Sequence, residues 1–243
     1  MNKQKNTKLF VDLEFTGLHR LSTPISLGII SEDGASYYAE FTDYDQEQVT
    51  NFIRSQILSK LKIKEYDIYN DYDPQANDVF VKGNSELIRE SLVEFLSRYP
   101  NGVEIWLDSP AFVWSMFLEI LGGYRNLPKN LEILPYDLHT ACKLYGYDSR
   151  STDSRKEMIE SYSELYEPNE NNALNDAKIN LALYKKLLLG LSEIQEDDFS
   201  DSEKEQKEEE TESPKWHDEV LEMTKDQPES LTENLETPKE EEK

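Results

Sequence analysis

Three carboxylates in this sequence have the residue type and the surroundings that a divalent metal ion requires. Asp12 and Glu14 lie two residues apart at the end of an apolar run. Side chains two apart on a strand share one face of its sheet, and Mg²⁺ or Mn²⁺ favours carboxylate oxygens. Asp176 lies between Ala173 and Ala177, small residues that let a helix approach a sheet closely. Taken singly, Asp12 and Glu14 could be a solvated acidic pair, and Asp176 could be an aspartate on a helix surface. The combination of the three predicts a metal site.

The segments around these carboxylates predict an α/β fold. Three runs of strand formers separated by turn signals predict an antiparallel meander, and alternating helical and strand patterns follow it. We therefore expect a mixed β-sheet flanked by helices, with a surface excursion over residues 43–81. The expected strands are 8–15, 25–31, 36–41, 103–107 and 131–135, and the expected helices begin at 84, 111 and 172, the last ending at Leu189-Gly190.

Charge divides the chain into two parts. The 243 residues carry a formal net charge of -24, and residues 193–243 hold 21 acidic and 6 basic residues of this total. A segment so acidic and so poor in apolar residues cannot bury enough surface to offset its chain entropy. We predict a folded domain at 1–192 and a disordered acidic tail at 193–243. Within the tail, Trp216, Val220 and Met223 would share one face of a short helix near 214–224, either transient or a motif for a protein partner.

Composition also limits the location and the partners. The chain has one cysteine, Cys142, so an intrachain disulfide is excluded. The polar N-terminus precedes an apolar run too short for a signal sequence or a membrane span, and we predict a cytoplasmic protein without membrane contact. Net negative charge argues against a broad phosphate-binding surface but is compatible with nucleic-acid binding in a metal-containing cleft.

The segments 11–17, 106–114 and 171–177, in this order, resemble the DEDD-type 3'-5' exonucleases of the ribonuclease H-like superfamily. Within that group the chain is most similar to small bacterial exoribonucleases of the RNase T and RNase AS kind. The resemblance implies a ribonuclease H-like fold over residues 8–190, two Mg²⁺ or Mn²⁺ ions held by four acidic residues, and action on nucleic-acid 3' ends, RNA favoured. Asp12 and Glu14 match the first motif, and Asp176 matches the last.

Two positions depart from the family's pattern. Val113 stands where the family has its second-motif aspartate, and valine has no oxygen to offer a metal ion. Asp108, at the end of the preceding strand, is the candidate compensating acid. Asn171 and Asn172 stand where the family has a histidine or tyrosine general base, and an amide cannot accept a proton usefully near neutral pH.

Judged by residue type alone, two histidines could replace that general base. His19 follows the first motif and His139 lies in a later segment; both also suit structural or surface roles. Three hypotheses remain: a metal-dependent exonuclease that uses a repositioned acid, a catalytically inactive pseudo-exonuclease that binds nucleic acid or protein, and a scaffold that keeps the carboxylates by accident.

Overall fold

The computed structural model describes residues 5–63, 76–148, 152–167 and 172–198. Asn171 and the predicted helix near 214–224 lie outside the described residues. The strands are β1 (Thr7–Phe15), β2 (Pro24–Ser31), β3 (Ser36–Phe41), β4 (Asp78–Gly83), β5 (Val103–Leu107) and β6 (Tyr136–Asp137). The helices are α1 (Asn51–Gln56), α2 (Ser85–Ser97), α3 (Pro110–Ile120), α4 (Leu138–Leu144), α5 (Thr152–Met158) and α6 (Ala173–Asp198).

The strands form one mixed sheet in the order β4-β3-β2-β1-β5-β6. β1, β2 and β3 pair antiparallel as a meander, because short turns join strands that are neighbours in sequence. β4 joins β3 in parallel on one side, and β5 and β6 continue from β1 in parallel on the other. The predicted α/β architecture, a mixed sheet built from an antiparallel meander and parallel strands and flanked by helices, is confirmed.

Alternation along β1 divides the core between the two faces of the sheet. Leu9, Val11 and Leu13 pack with residues of α2 and α3 in one apolar cluster. Phe10 points to the other face and packs with Leu181 of α6 and with residues of α4. Asp12 and Glu14 follow the same period as Phe10, so they belong to the face that α6 covers.

Three sequence predictions need correction. β4 lies within the segment predicted as a surface excursion; Val79 and Val81 are buried and Phe80 is 48% exposed, an alternation that the charged surroundings concealed. The strand predicted at 131–135 forms only a bridge between Leu131 and Val103, and pairing resumes at β6. Pro135 has no N–H for a ladder, which explains the displacement.

The third correction concerns the end of the last helix. α6 does not end at Leu189-Gly190 but continues to Asp198. One glycine inside a helix costs about 1 kcal/mol relative to alanine, and the helix-forming residues on both sides of Gly190 outweigh that cost. None of the helices in the described part of the chain combines the length and apolar character needed to cross a lipid bilayer.

Candidate metal centre

The candidate centre lies where β1 and β5 separate. β5 pairs with β1 only over Thr7–Phe10, whereas β2 stays paired with β1 to Phe15. The last part of β1 therefore has β2 on one side and a crevice on the side of β5. In open α/β sheets, ligands bind in such crevices at the carboxyl ends of strands, where the direction of the connections changes. Asp12 and Glu14 lie on this part of β1.

Gly28 lets α6 lie directly on the sheet beside these residues. It is the register partner of Asp12 on β2. A Cβ atom at this position would lie 2.2 Å from the carbonyl carbon and oxygen of Ala173 and 2.3 Å from the nitrogen of Leu174. Contacts this short are impossible, so only glycine permits the observed approach. The close approach brings Asp176, within the first turn of α6, over the Asp12 position.

Three buried asparagines fix the position of α6, each only 2% exposed. Asn172 caps the helix, since its side-chain oxygen accepts a hydrogen bond of 3.1 Å from the backbone N–H of Asn175. Asn175 accepts from the N–H of Glu167 at 2.7 Å and donates to the carbonyl of the same residue at 3.0 Å. Asn180 donates to the carbonyl of Val11 on β1 at 3.3 Å. These bonds set the rotation and depth of α6 and thereby aim Asp176.

The three predicted carboxylates come together in the structure. Asp12, Glu14 and Asp176 each offer an oxygen, and these oxygens lie within 4.8 Å of one another. Burial raises the pKa of Asp12, and repulsion from Asp176 and Glu14 raises it further. Burial and the Asp176 carboxylate raise the pKa of Glu14 to about 7. Burial likewise raises the pKa of Asp176 to about 7, against the attraction of Arg155. Without a cation, the cluster therefore favours partial protonation.

This arrangement fits a hard divalent cation. The three carboxylates each offer an oxygen close enough to the others to share one ion, and Mg²⁺ and Mn²⁺ favour oxygen ligands. A bound ion would also offset the burial and the mutual repulsion that raise their pKa values. Asp12, Glu14 and Asp176 are thus the residues that could hold Mg²⁺ or Mn²⁺.

A cavity of about 220 Å³ opens beside the carboxylates. Asp108 lines it, but its Oδ2 is engaged in an ion pair with Nη1 of Arg155, and the two side chains are 19% and 25% exposed. The candidate compensating acid thus faces the predicted site while paired with a cation. The described residues that line the cavity are Asp12, Asp108, Arg155, Lys156, Asp176, Ile179 and Asn180.

The remaining predicted site residues lie elsewhere. Val113 is 3% exposed and packs in the apolar cluster under α2 and α3, on the other face of the sheet from the carboxylates. Its place in the second motif stays a prediction, as does that of Asn171. His19 is exposed in the loop after β1, and His139 lies in the first turn of α4. Neither is among the described side chains that line the cavity.

Sequence reasoning missed the basic residues of the site and the structural role of its amides. Arg155 and Lys156 lie in a polar segment with no period that would aim them at a carboxylate. A signal for the amides was present, because Asn172, Asn175 and Asn180 recur at helical spacing on one side of α6. The sequence prediction for this helix rested on its apolar stripe and assigned no structural role to the amides.

No protein-family profile matches the chain. The relatives that it resembles include the 3'-5' exoribonuclease of Mycobacterium tuberculosis in strains CDC 1551 / Oshkosh and H37Rv, each 28% identical over 122 residues. The match spans 50% of this chain and 65% of the relative. Among solved structures, the catalytic unit of Neurospora crassa Pan2 (protease and nuclease domain) aligns with 83% of this chain and 30% of its own, at 15% identity and a TM-score of 0.37. The chain is thus distantly similar to 3'-5' exoribonucleases.

Proposed function

We propose that this chain is a metal-dependent, DEDD-type 3'-5' exonuclease-like protein that acts on nucleic-acid 3' ends, with RNA as the favoured substrate. The observation that carries the proposal is the convergence of Asp12, Glu14 and Asp176 within 4.8 Å in a crevice of a mixed sheet. The distant similarity to 3'-5' exoribonucleases supports the same reaction class.

The residues of the chain would divide the work as follows. Asp12, Glu14 and Asp176 hold the ion, and Gly28 and the buried asparagines keep the third carboxylate in register with the first two. A divalent ion held by these residues would supply Lewis-acid stabilisation of charge on a phosphodiester and would lower the pKa of bound water. The crevice leaves one side of the carboxylates open to the cavity, from which a strand end can approach.

A second function, metal-dependent binding of a 3' end without cleavage, is favoured by one observation. The described residues that line the cavity include neither a histidine nor a tyrosine. Loss of a positioned general base typically reduces the rate on the order of 10² to 10⁴-fold. A chain that binds metal and a strand end but turns over slowly or not at all is the alternative outcome.

The test is shortening of a 3'-overhang RNA and of a matching single-stranded DNA by the full-length protein with Mn²⁺ or Mg²⁺. Asp12→Ala is the site variant, and Glu90→Ala, an exposed carboxylate on α2, is the control. Stepwise 3' shortening lost only in Asp12→Ala would support the exonuclease. Mn²⁺ binding that depends on Asp12 without shortening would support the binding function. Absence of Mn²⁺ binding in calorimetry would refute both.

A further inference from the structure

Two basic side chains of α5 face the carboxylates of the candidate centre. Arg155 and Lys156 line the same cavity as Asp12 and Asp176. The ion pair with Asp108 holds Arg155 there, with three quarters of its side chain buried. The attraction of Arg155 opposes the rise that burial causes in the pKa of both Asp12 and Asp176, and the attraction of Lys156 opposes it at Asp176. The two cations therefore act on the metal-binding carboxylates themselves.

The core of the domain anchors the turn that carries these cations. Ile159 is fully buried in the cluster that contains Phe10 and Leu181. Its backbone N–H donates to the carbonyl of Arg155 at 3.1 Å, so the two residues belong to one helical turn. Burial of Ile159 thus fixes the height at which Arg155 enters the cavity.

The charges around the cavity indicate what Arg155 and Lys156 replace. Asp12, Glu14, Asp176 and Asp108 carry four negative charges when ionised, and Arg155 and Lys156 carry two positive charges. One divalent ion would complete neutrality. In the family that the sequence resembles, four carboxylates are balanced by two divalent ions. A second divalent ion here would add two uncompensated positive charges beside two fixed cations, at a high electrostatic cost in a partly buried site.

We propose that Arg155 and Lys156 take the place of the second divalent ion, so that the centre binds one metal ion and these side chains bind the phosphate of a nucleotide at a strand end. This assignment rests on the proposed function for the metal and for the strand. Arg155 suits the task, because a guanidinium carries five N–H donors in a fixed fork that matches phosphate oxygens. Its ion pair with Asp108 is made through Nη1.

The first test counts ions by calorimetry of the full-length protein with Mn²⁺. We expect one ion per chain in the unaltered protein. The double variant Arg155→Gln/Lys156→Gln should bind Mn²⁺ at least tenfold more tightly, since two repelling charges are removed. The control Lys185→Gln/Lys186→Gln removes the same charge farther along α6, about 14 to 15 Å from Asp176 by helical rise, where salt screens the effect. Two ions, or none, in the unaltered protein would overturn the proposal.

The second test measures phosphate binding with Mn²⁺ present, using uridine 5'-monophosphate and uridine. The monophosphate should bind at least tenfold more tightly than uridine, and the double variant should lose that advantage. Arg155→Lys keeps the positive charge but removes the forked guanidinium. It should keep Mn²⁺ affinity within about threefold and reduce monophosphate affinity several-fold. Circular dichroism checks that each variant is folded. Equal binding of uridine and its monophosphate would contradict the assignment.

Binding of a uridylate tetramer tests whether the bound phosphate belongs to a strand end or to a free nucleotide. Tighter binding of the tetramer than of the monophosphate would support a strand end as the ligand, and equal affinity would overturn that part of the assignment. These readings do not require turnover. If 3' shortening is absent, one bound Mn²⁺ and a phosphate effect that depends on Arg155 would still support the inference. An active exonuclease that binds two ions would refute it and leave the proposed function intact.

Discussion

Replacing Glu14 by glutamine should stabilise the metal-free protein at pH 8 and abolish its stabilisation by Mn²⁺. Burial and the Asp176 carboxylate raise the pKa of Glu14 to about 7. A carboxyl group whose pKa is higher in the folded state than in the unfolded state favours folding while protonated. This contribution to stability is complete at pH values below the ordinary pKa of glutamate, and it is lost as the pH rises through 7. Glutamine has nearly the same shape and carries no charge, so it escapes this loss.

Two calculations give similar values for the destabilisation that ionised Glu14 causes in the metal-free protein. Two unit charges 4.8 Å apart, the upper limit of the separations in the cluster, repel by about 3.5 kcal/mol at an effective dielectric constant of about 20. A pKa of about 7 for Glu14, against about 4.3 for an ordinary glutamate, corresponds to about 3 to 4 kcal/mol at pH 8. For a domain of this size, about 3 kcal/mol raises the melting temperature by roughly 6 to 12 °C. At pH 5 the effect falls to about 1 kcal/mol or less.

The assay is thermal unfolding from pH 5 to pH 8, in EDTA and in saturating Mn²⁺. In EDTA, Glu14→Gln should reduce the fall in melting temperature between pH 5 and pH 8. In Mn²⁺ the unaltered protein should gain stability at pH 8, whereas Glu14→Gln should gain little, because a ligand oxygen is missing. Glu90→Gln, an exposed change on the other face of the sheet, should follow the unaltered protein. Equal melting temperatures of Glu14→Gln and the unaltered protein at pH 8 in EDTA would refute the reasoning.

Two further predictions concern how the site is built. Gly28→Ala should lower Mn²⁺ affinity at least tenfold and stability by about 1 to 3 kcal/mol, because the added methyl group must push α6 off the sheet; calorimetry and unfolding would show this. Gly83→Ala is its control, since the new atom meets the end of a flexible leucine side chain, and equal effects of the two changes would count against the close-approach argument. Val113→Asp should cost several kcal/mol in unfolding experiments, because it buries a carboxylate among apolar side chains. Val93→Asp, at a position 39% exposed, should be nearly neutral, and a gain of Mn²⁺ binding by Val113→Asp would contradict the placement.

The sequence predicted those parts of the fold that rest on local patterns. The meander followed from alternating strand formers and turn signals, and α2 followed from its apolar stripe; the structure adds that Asn84 caps this helix by accepting from the N–H of Leu87. Asp12 and Glu14 were assigned to one face because the strand period is two. Their convergence with Asp176 was expected from the resemblance, and the structure brings all three together.

The missing parts depend on contacts between distant segments. β4 is a strand because it completes the edge of the sheet beside β3, which the charged segment around it does not indicate. The ion pair of Asp108 with Arg155 joins residues 47 positions apart, and no local pattern marks such a partner. The core position of Val113 likewise depends on how α3 packs against the sheet, so its burial could not be read from its neighbours in sequence.

The three asparagines of α6 have a consequence for the behaviour of the centre under different solution conditions. The bonds from Asn172, Asn175 and Asn180 join amide groups to backbone groups, and none of the partners titrates in the physiological range. Such bonds are also weakly affected by salt, unlike exposed ion pairs. The carboxylates can therefore take up or release protons and a metal ion while their supporting frame stays fixed. Changes in pH or ionic strength should alter the occupancy of the centre and leave its architecture unchanged.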